Sequence, residues 1–136
     1  MDIQAHFNNI TSHIIDEIEN AEKSIYIAIA WFTNRRIFES LCEKAESGIE
    51  VEVILIDDTI NQGSRGLNFN KLTEVKGNVH WIKEHQSGKG RMHNKFCIID
   101  ESIVLTGSFN WSRSAEKNYE NITVIKDDPI PVIQYM

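Results

Sequence analysis

Two apolar runs constrain this fold most: residues 24–32 (Ser-Ile-Tyr-Ile-Ala-Ile-Ala-Trp-Phe) and residues 49–56 (Ile-Glu-Val-Glu-Val-Ile-Leu-Ile). A near-continuous apolar run of that length suits a strand covered on both faces. Between the runs, Ile37, Phe38, Leu41 and Ala45 recur at helical spacing, Asn34 stands where an N-cap belongs, and Gly48 follows as a stop. Strand, helix and strand in that order predict a βαβ unit whose strands pair in parallel. The expected fold class is therefore α/β, a mixed central β-sheet flanked by helices.

The rest of the chain reads as further elements of such a sheet. Ile3, Ala5 and Phe7 alternate as a short opening strand. Ile10, Ile14, Ile15, Ile18 and Ala21 follow helical spacing, with Asn8 or Asn9 as N-cap. Residues 57–68 form a polar, glycine-bearing loop, and Phe69, Leu72 and Val75 mark a short helix ending at Gly77. Strands are expected at residues 79–82, from His93 onward, at 103–106 and at 119–125, with a loop at 85–92 and a turn at Glu101-Ser102. Pro129 can open a final helix that the chain cuts short at Met136. The expectation is one domain over residues 1–136, truncated there or belonging to a longer protein.

At 136 residues, 41% hydrophobic and 25% charged, the chain has ordinary globular composition. No apolar run approaches the ~20 residues of a membrane span. The opening Met-Asp-Ile-Gln-Ala-His lacks a basic start and an apolar signal core, so a cytoplasmic location is expected. Cys42 and Cys97 sit in apolar-patterned segments and are expected to be reduced packing residues. The net charge of −6 is unevenly spread. Residues 1–60 hold 12 acidic and 4 basic residues, whereas residues 61–136 hold 8 acidic and 10 basic. The second half can meet a few phosphates, though not a long duplex footprint.

That second half carries the chemistry. His93-Asn94-Lys95-Phe96-Cys97-Ile98-Ile99-Asp100 is followed by Gly107-Ser108-Phe109-Asn110, giving H-x-K-x4-D-x6-G-S-x-N. On an extended strand His93 and Lys95 point the same way, as do Ser108 and Asn110, with Phe96 and Ile98 on the opposite, buried face. Gly107 permits a turn and a close backbone approach. One patch can thus present an imidazole, an ammonium, a hydroxyl and an amide. A neutral imidazole can attack phosphorus, and the other three can hold the non-bridging oxygens without a metal ion. Asp100 falls on the face opposite His93 and reads as a structural partner for a buried group.

These residues resemble the HKD signature of the phospholipase D superfamily, whose members cleave phosphodiester bonds in lipids or nucleic acids. The resemblance covers the whole chain and implies a phospholipase D-like sheet. It extends to Asn118-Tyr119-Glu120-Asn121, where it implies that Glu120 holds the nucleophilic imidazole by its second nitrogen; a solvated strand residue is the plainer reading. A covalent phosphohistidine route also needs a group that protonates the leaving oxygen and then activates water. In the superfamily a second motif copy supplies it. Here His6, His13, His80 and His85 are followed two residues later by Asn8, Ile15, Ile82 and Ser87, never by lysine. The resemblance then implies the single-motif branch: a two-fold homodimer in which each chain gives one His93 to a shared site.

Other residues are candidates of lower rank. Lys89, Arg91 and His85 lie just before the motif and can line the substrate path. Trp111 can stack on a base, line an acyl groove or pack at the dimer seam. Arg35 and Arg36 open a helix after a central strand, a common ligand position in α/β sheets, and are otherwise a solvated pair. Gly88-Lys89 is not a phosphate loop: Lys83 stands five before Gly88 where glycine is needed, and Gly90 replaces Ser or Thr. His80, His85, His93 and Cys97 lack paired zinc-ligand spacing, so no metal and no other cofactor is expected. The expected activity is a metal-independent phosphodiesterase cutting DNA or RNA. Its rivals are a phospholipase or cardiolipin hydrolase, and a dimerising nucleic-acid-binding module of a larger restriction, repair or defence protein.

Overall fold

The computed structural model describes residues 2–83 and 92–126. Of the loop expected at residues 85–92 all but Met92 lies outside the described residues, as does the helix opened by Pro129. Seven strands form one sheet in the order β1-β7-β6-β5-β2-β3-β4. They are β1 (Asp2–His6), β2 (Ser24–Ile29), β3 (Glu50–Asp57), β4 (Asn78–Lys83), β5 (Lys95–Ile99), β6 (Ile103–Gly107) and β7 (Ile122–Lys126). Strands β2, β3 and β4 are parallel, β5 turns antiparallel against β2, and β6, β7 and β1 continue antiparallel. The sheet is mixed, as the sequence predicts.

The βαβ unit forms as expected. In α2 (Arg35–Glu46) the buried Asn34 accepts a hydrogen bond from the Ile37 N–H at 3.2 Å. This satisfies one of the N–H groups that a helix start leaves without a partner. Gly48, at φ +103°, turns the chain into β3 in a conformation that suits glycine. Ile37, Phe38 and Leu41 then bury against Val51, Val53 and Leu55 of β3. Helix α1 (Ile10–Glu19) adds Ile14 and Ile18 to the same core. Each such side chain contributes roughly 1.5–3 kcal/mol by leaving water. Asn9 occupies the N-cap position of α1 but is left-handed (φ 53°) and makes no side-chain capping bond. The β1 alternation also buries less than its pattern implies: β1 is an edge strand, with Ile3 and Phe7 exposed.

Residues 57–68 are not a plain loop. They contain α3 (Thr59–Gln62), capped by the Asp58 carboxylate, which accepts from the Ile60 and Asn61 N–H groups at 3.0 Å each. A four-residue helix is too short to leave a periodic signal. Helix α4 (Asn70–Glu74) and a 3-10 turn at Ser114–Lys117 complete the described elements. The last strand starts later than its pattern suggests, so Tyr119 and Glu120 lie on the approach to β7. Cys42 and Cys97 are both free thiols. Burial pushes the Cys42 thiol up to about 11, and full burial in the core raises Cys97 further.

Asp100 makes its contacts with backbone away from His93. It lies at the far end of β5 from Lys95, in a tight turn where Asp100 and Glu101 are both left-handed (φ 54° and 56°). Its carboxylate accepts from the backbone N–H groups of Glu22, Lys23 and Ser24 at 2.6–3.1 Å, pinning the hairpin to the entry of β2. Burial alone would raise this carboxyl, but those N–H groups outweigh it and hold the group below the usual range. A depressed carboxylate adds stability above its unfolded pKa of ~3.9 and loses it as pH falls through the lower folded value. Asp100→Asn, which tolerates the left-handed backbone, should therefore cost about 2 kcal/mol in urea unfolding at pH 7. The gap from wild type should close below about pH 4. A gap that is unchanged at pH 3 would refute this assignment.

Candidate active site

The parallel strands β2 and β3 end where β5 and β7 begin, and the motif residues gather at that edge. Ile29 pairs with Lys95, the Ala30 N–H donates to the Asn94 carbonyl at 3.0 Å, and Gly107 pairs with Ile122. His93 precedes β5 and is exposed; Lys95 opens the strand and is half-buried. The Lys95 Nζ lies 3.1 Å from His93 Nδ1 and 3.4 Å from Nε2, and donates to the His93 carbonyl at 3.0 Å. Burial pushes the Lys95 ammonium below the usual lysine range, while the Glu120 carboxylate opposes that shift.

The second pair arrives from β6. Gly107 is required because a Cβ there would run into the Asn121 carbonyl as β6 and β7 close together. Directly after it, Ser108 donates its N–H to the Asn121 carbonyl at 3.2 Å, and its Oγ accepts from the Asn121 N–H at 3.1 Å. Asn110 is oriented by its Oδ1, which accepts from the Trp31 N–H at 3.3 Å. Its amide nitrogen is uncommitted among the described residues and can donate to an anion.

Glu120 departs from its expected contact. It was expected to bond the second nitrogen of His93; instead its charge acts on Lys95, and no hydrogen bond joins it to His93 among the described residues. The short register of β7 explains this, since Asn121 is already tied to Ser108.

Trp111, expected to stack on a base, line an acyl groove or pack at a dimer seam, belongs to the core instead. It is 2% exposed, so it neither stacks on a ligand nor offers a face to a second chain. Its ring meets Phe32 edge-on at 5.3 Å, and its carbonyl accepts from the Thr33 and Asn34 N–H groups at 2.8 and 2.9 Å. It locks the chain after β6 to the β2–α2 junction. The face expected to be buried behind the motif is also partly reversed. Cys97 and Ile99, not Phe96 and Ile98, point into the main core, while Ile98 joins Val104 in a small second cluster.

Arg35 lines a separate depression with Glu39, Glu43 and Lys71 and makes none of the contacts that join the motif residues. Lys89, Arg91 and His85 lie outside the described residues. His80 faces Glu52 at 3.6 Å on β3 and β4, and Cys97 is buried in the core, so neither joins His93. No group of three His, Cys, Asp or Glu that could hold a metal occurs among the described residues.

Two residues went unmarked in the sequence, Trp31 and Asn61. Trp31 presents its edge to the His93 ring at 5.9 Å and donates its Nε1–H to Asp58 at 2.8 Å. Asn61, fully buried, accepts from the Phe32 N–H at 2.9 Å and donates to the Ala30 and Ile56 carbonyls at 2.9 and 2.7 Å. It ties together the chain leaving β2 and the end of β3, beside the motif edge. A buried amide with all these bonds made rigidifies its surroundings.

The family described as "Cardiolipin synthase, PLD-like domain" matches residues 14–136. Among curated proteins, the mitochondrial cardiolipin hydrolase of Chlamydomonas reinhardtii is 31% identical over 124 residues, covering 90% of this chain and 53% of that protein. The chain spans about half the length of the curated relatives it matches. Among solved structures, NucT from Helicobacter pylori superposes with a TM-score of 0.84 at 28% identity, covering 98% of this chain and 90% of that one. The phospholipase D family member Nuc from Salmonella typhimurium gives 0.82 at 24% identity, with 98% and 88% covered.

Proposed function

Because the chain belongs to the phospholipase D-like family, we propose that it is a metal-independent phosphodiesterase that cleaves nucleic acid through a phosphohistidine at His93. The observation that carries this reading is the placement of Lys95 Nζ at 3.1 Å from His93 Nδ1, at the strand edge that also holds Ser108 and Asn110. A histidine nitrogen attacks phosphorus, and the bond from phosphorus to the leaving oxygen breaks. The leaving oxygen takes its proton from the partner's His93. That imidazole then removes a proton from water, whose oxygen displaces His93 and breaks the P–N bond. Lys95, Ser108 and Asn110 stabilise the charged oxygens in both steps. Glu120 acts through Lys95, keeping a partly buried ammonium charged.

A nucleophile and an acid–base that are both His93 require two chains about a two-fold axis. Nucleic acid is favoured because residues 57–68, beside the site, are polar and expose no large apolar side chain except Ile60. An acyl chain needs a predominantly apolar channel. No helix among the described residues is long and apolar enough to cross a membrane. A lipid phosphodiester is the second reading, and the cardiolipin hydrolase name of the Chlamydomonas relative favours it.

The deciding assay incubates purified protein with labelled single- and double-stranded DNA, RNA and cardiolipin vesicles, each with and without saturating EDTA. Cleavage of nucleic acid at an unchanged rate in EDTA is expected, since the charge-stabilising groups belong to the protein. Loss on chelation with recovery in Mg²⁺ or Zn²⁺ would overturn metal independence. Cleavage of the vesicles alone would overturn the nucleic-acid assignment.

A further inference from the structure

A groove of about 880 Å³ opens beside the site, lined by Thr33, Thr59, Arg65, Arg113, Ser114 and Lys117 among others. Among the described residues its charged lining is Arg65, Arg113 and Lys117, all exposed, with no carboxylate. That is unusual in a chain of net charge −6. The acidic residues closest in sequence are engaged elsewhere. Asp58 is bonded to Trp31 Nε1 and caps α3, Asp57 accepts from Gln62, and Glu116 accepts from Thr11 and Asn34. None of the three cations forms an ion pair with a carboxylate among the described residues. The Arg113 Nη2 donates to the Arg65 carbonyl at 3.2 Å, holding the two arginine-bearing segments together. Among the described residues no carboxylate compensates their charges.

The groove is continuous with the site through one ribbon of chain, Trp31-Phe32-Thr33. Trp31 donates to Asn110 and touches His93, while Thr33 Oγ1 accepts from the Arg113 N–H at 3.2 Å. Arg113 stands three positions after Asn110, so their Cα atoms are no more than about 11 Å apart. That is near enough for neighbouring phosphates of one strand to reach both places. A lipid headgroup held at His93 offers one or two phosphates and then apolar chains. A nucleic-acid strand continues as a regular row of anions.

We infer that the Arg65–Arg113–Lys117 groove binds the phosphodiester backbone of a single nucleic-acid strand next to the phosphate held at His93. The inference rests on the nucleic-acid reading of the site and specifies it: the substrate is a polymer, gripped mainly through its backbone. Recognition by phosphate charge is indifferent to base sequence.

Binding separates this inference from the catalytic one. A fluorescently labelled single strand of about 20 nucleotides, of the order of a one- or two-fold binding site, is titrated against the full chain carrying His93→Asn. The same titration is run after adding Arg65→Gln, Arg113→Gln and Lys117→Gln together, and after Arg65→Lys with Arg113→Lys. The glutamine set should weaken binding at least about tenfold at low salt. It should also reduce the slope of log K against log salt by about 2, from ~0.7 per phosphate contact. The lysine pair, which keeps the charge, should bind within about threefold of the parent. Equal affinity and slope in the glutamine set would overturn the inference, as would absence of strand binding by the parent. A glutamine set that loses cardiolipin-containing phosphatidylcholine vesicles but keeps the strand would also overturn it, in favour of a membrane surface. If strand binding follows the groove while the unsubstituted protein cleaves no nucleic acid, the catalytic reading fails and the groove stands.

Discussion

His93→Asn is expected to lower phosphodiester turnover by about three orders of magnitude or more while leaving the fold intact. The asparagine cannot form the phosphorus–nitrogen bond, so the two-step route closes. The fold should survive because the His93 side chain is exposed and, among the described residues, meets the Lys95 ammonium and, in a T-shaped contact, the Trp31 ring. Neither contact supports the main core, which lies on the side of the sheet covered by α1 and α2. Turnover above about a tenth of wild type, with an unchanged unfolding midpoint, would remove His93 from the nucleophile role.

Equally large is the effect expected when chains are mixed. The proposed route uses two histidines, and His93 is the chain's one histidine followed two residues later by lysine. Wild-type chains allowed to exchange with a ninefold excess of His93→Asn chains should mostly enter mixed dimers. Activity per wild-type chain should then fall to about a tenth, the share left paired with one another. Activity in simple proportion to wild-type chains, with exchange verified by a mass-tagged subunit, would mean that each chain works alone. The same outcome would require an acid within the chain, and Glu120, whose charge already acts on Lys95, would be the residue to examine.

The parts of this molecule legible in the sequence are those whose determinants lie close together along it. β2, α2 and β3 follow from apolar continuity, a 3.6-residue pattern and a cap at Asn34, all within about one βαβ unit. The HKD residues are legible because their fixed spacing is local, although only Lys95 lies on a strand while His93, Ser108 and Asn110 flank strand ends. What escaped depends on distant partners. Trp111 sits one residue after Asn110, and nothing local decides whether an aromatic there faces solvent or core. Its burial is decided by Phe32, 79 positions earlier, through paired backbones and an edge-to-face ring contact. Asn61 stands inside a polar run that reads as loop, yet it is fully buried because the ends of β2 and β3 leave two carbonyls and one N–H that it satisfies. The Glu120 contact shifted for a similar reason, since the start of β7 is set by Ser108 and Asn121 rather than by the apolar pattern of residues 119–125.

The central claim is a covalent bond between phosphorus and a His93 ring nitrogen, and trapping that bond tests it most directly. Wild-type protein turning over a phosphodiester labelled on the retained phosphate is quenched in alkali, where a phosphorus–nitrogen bond to histidine persists, and mapped by peptide mass. Label on the peptide containing His93, appearing before product is released and chasing into product on addition of unlabelled substrate, is the expected result. Product forming at full rate with no labelled His93 peptide at any time would contradict the account, and so would label that resides on another residue and chases at the catalytic rate.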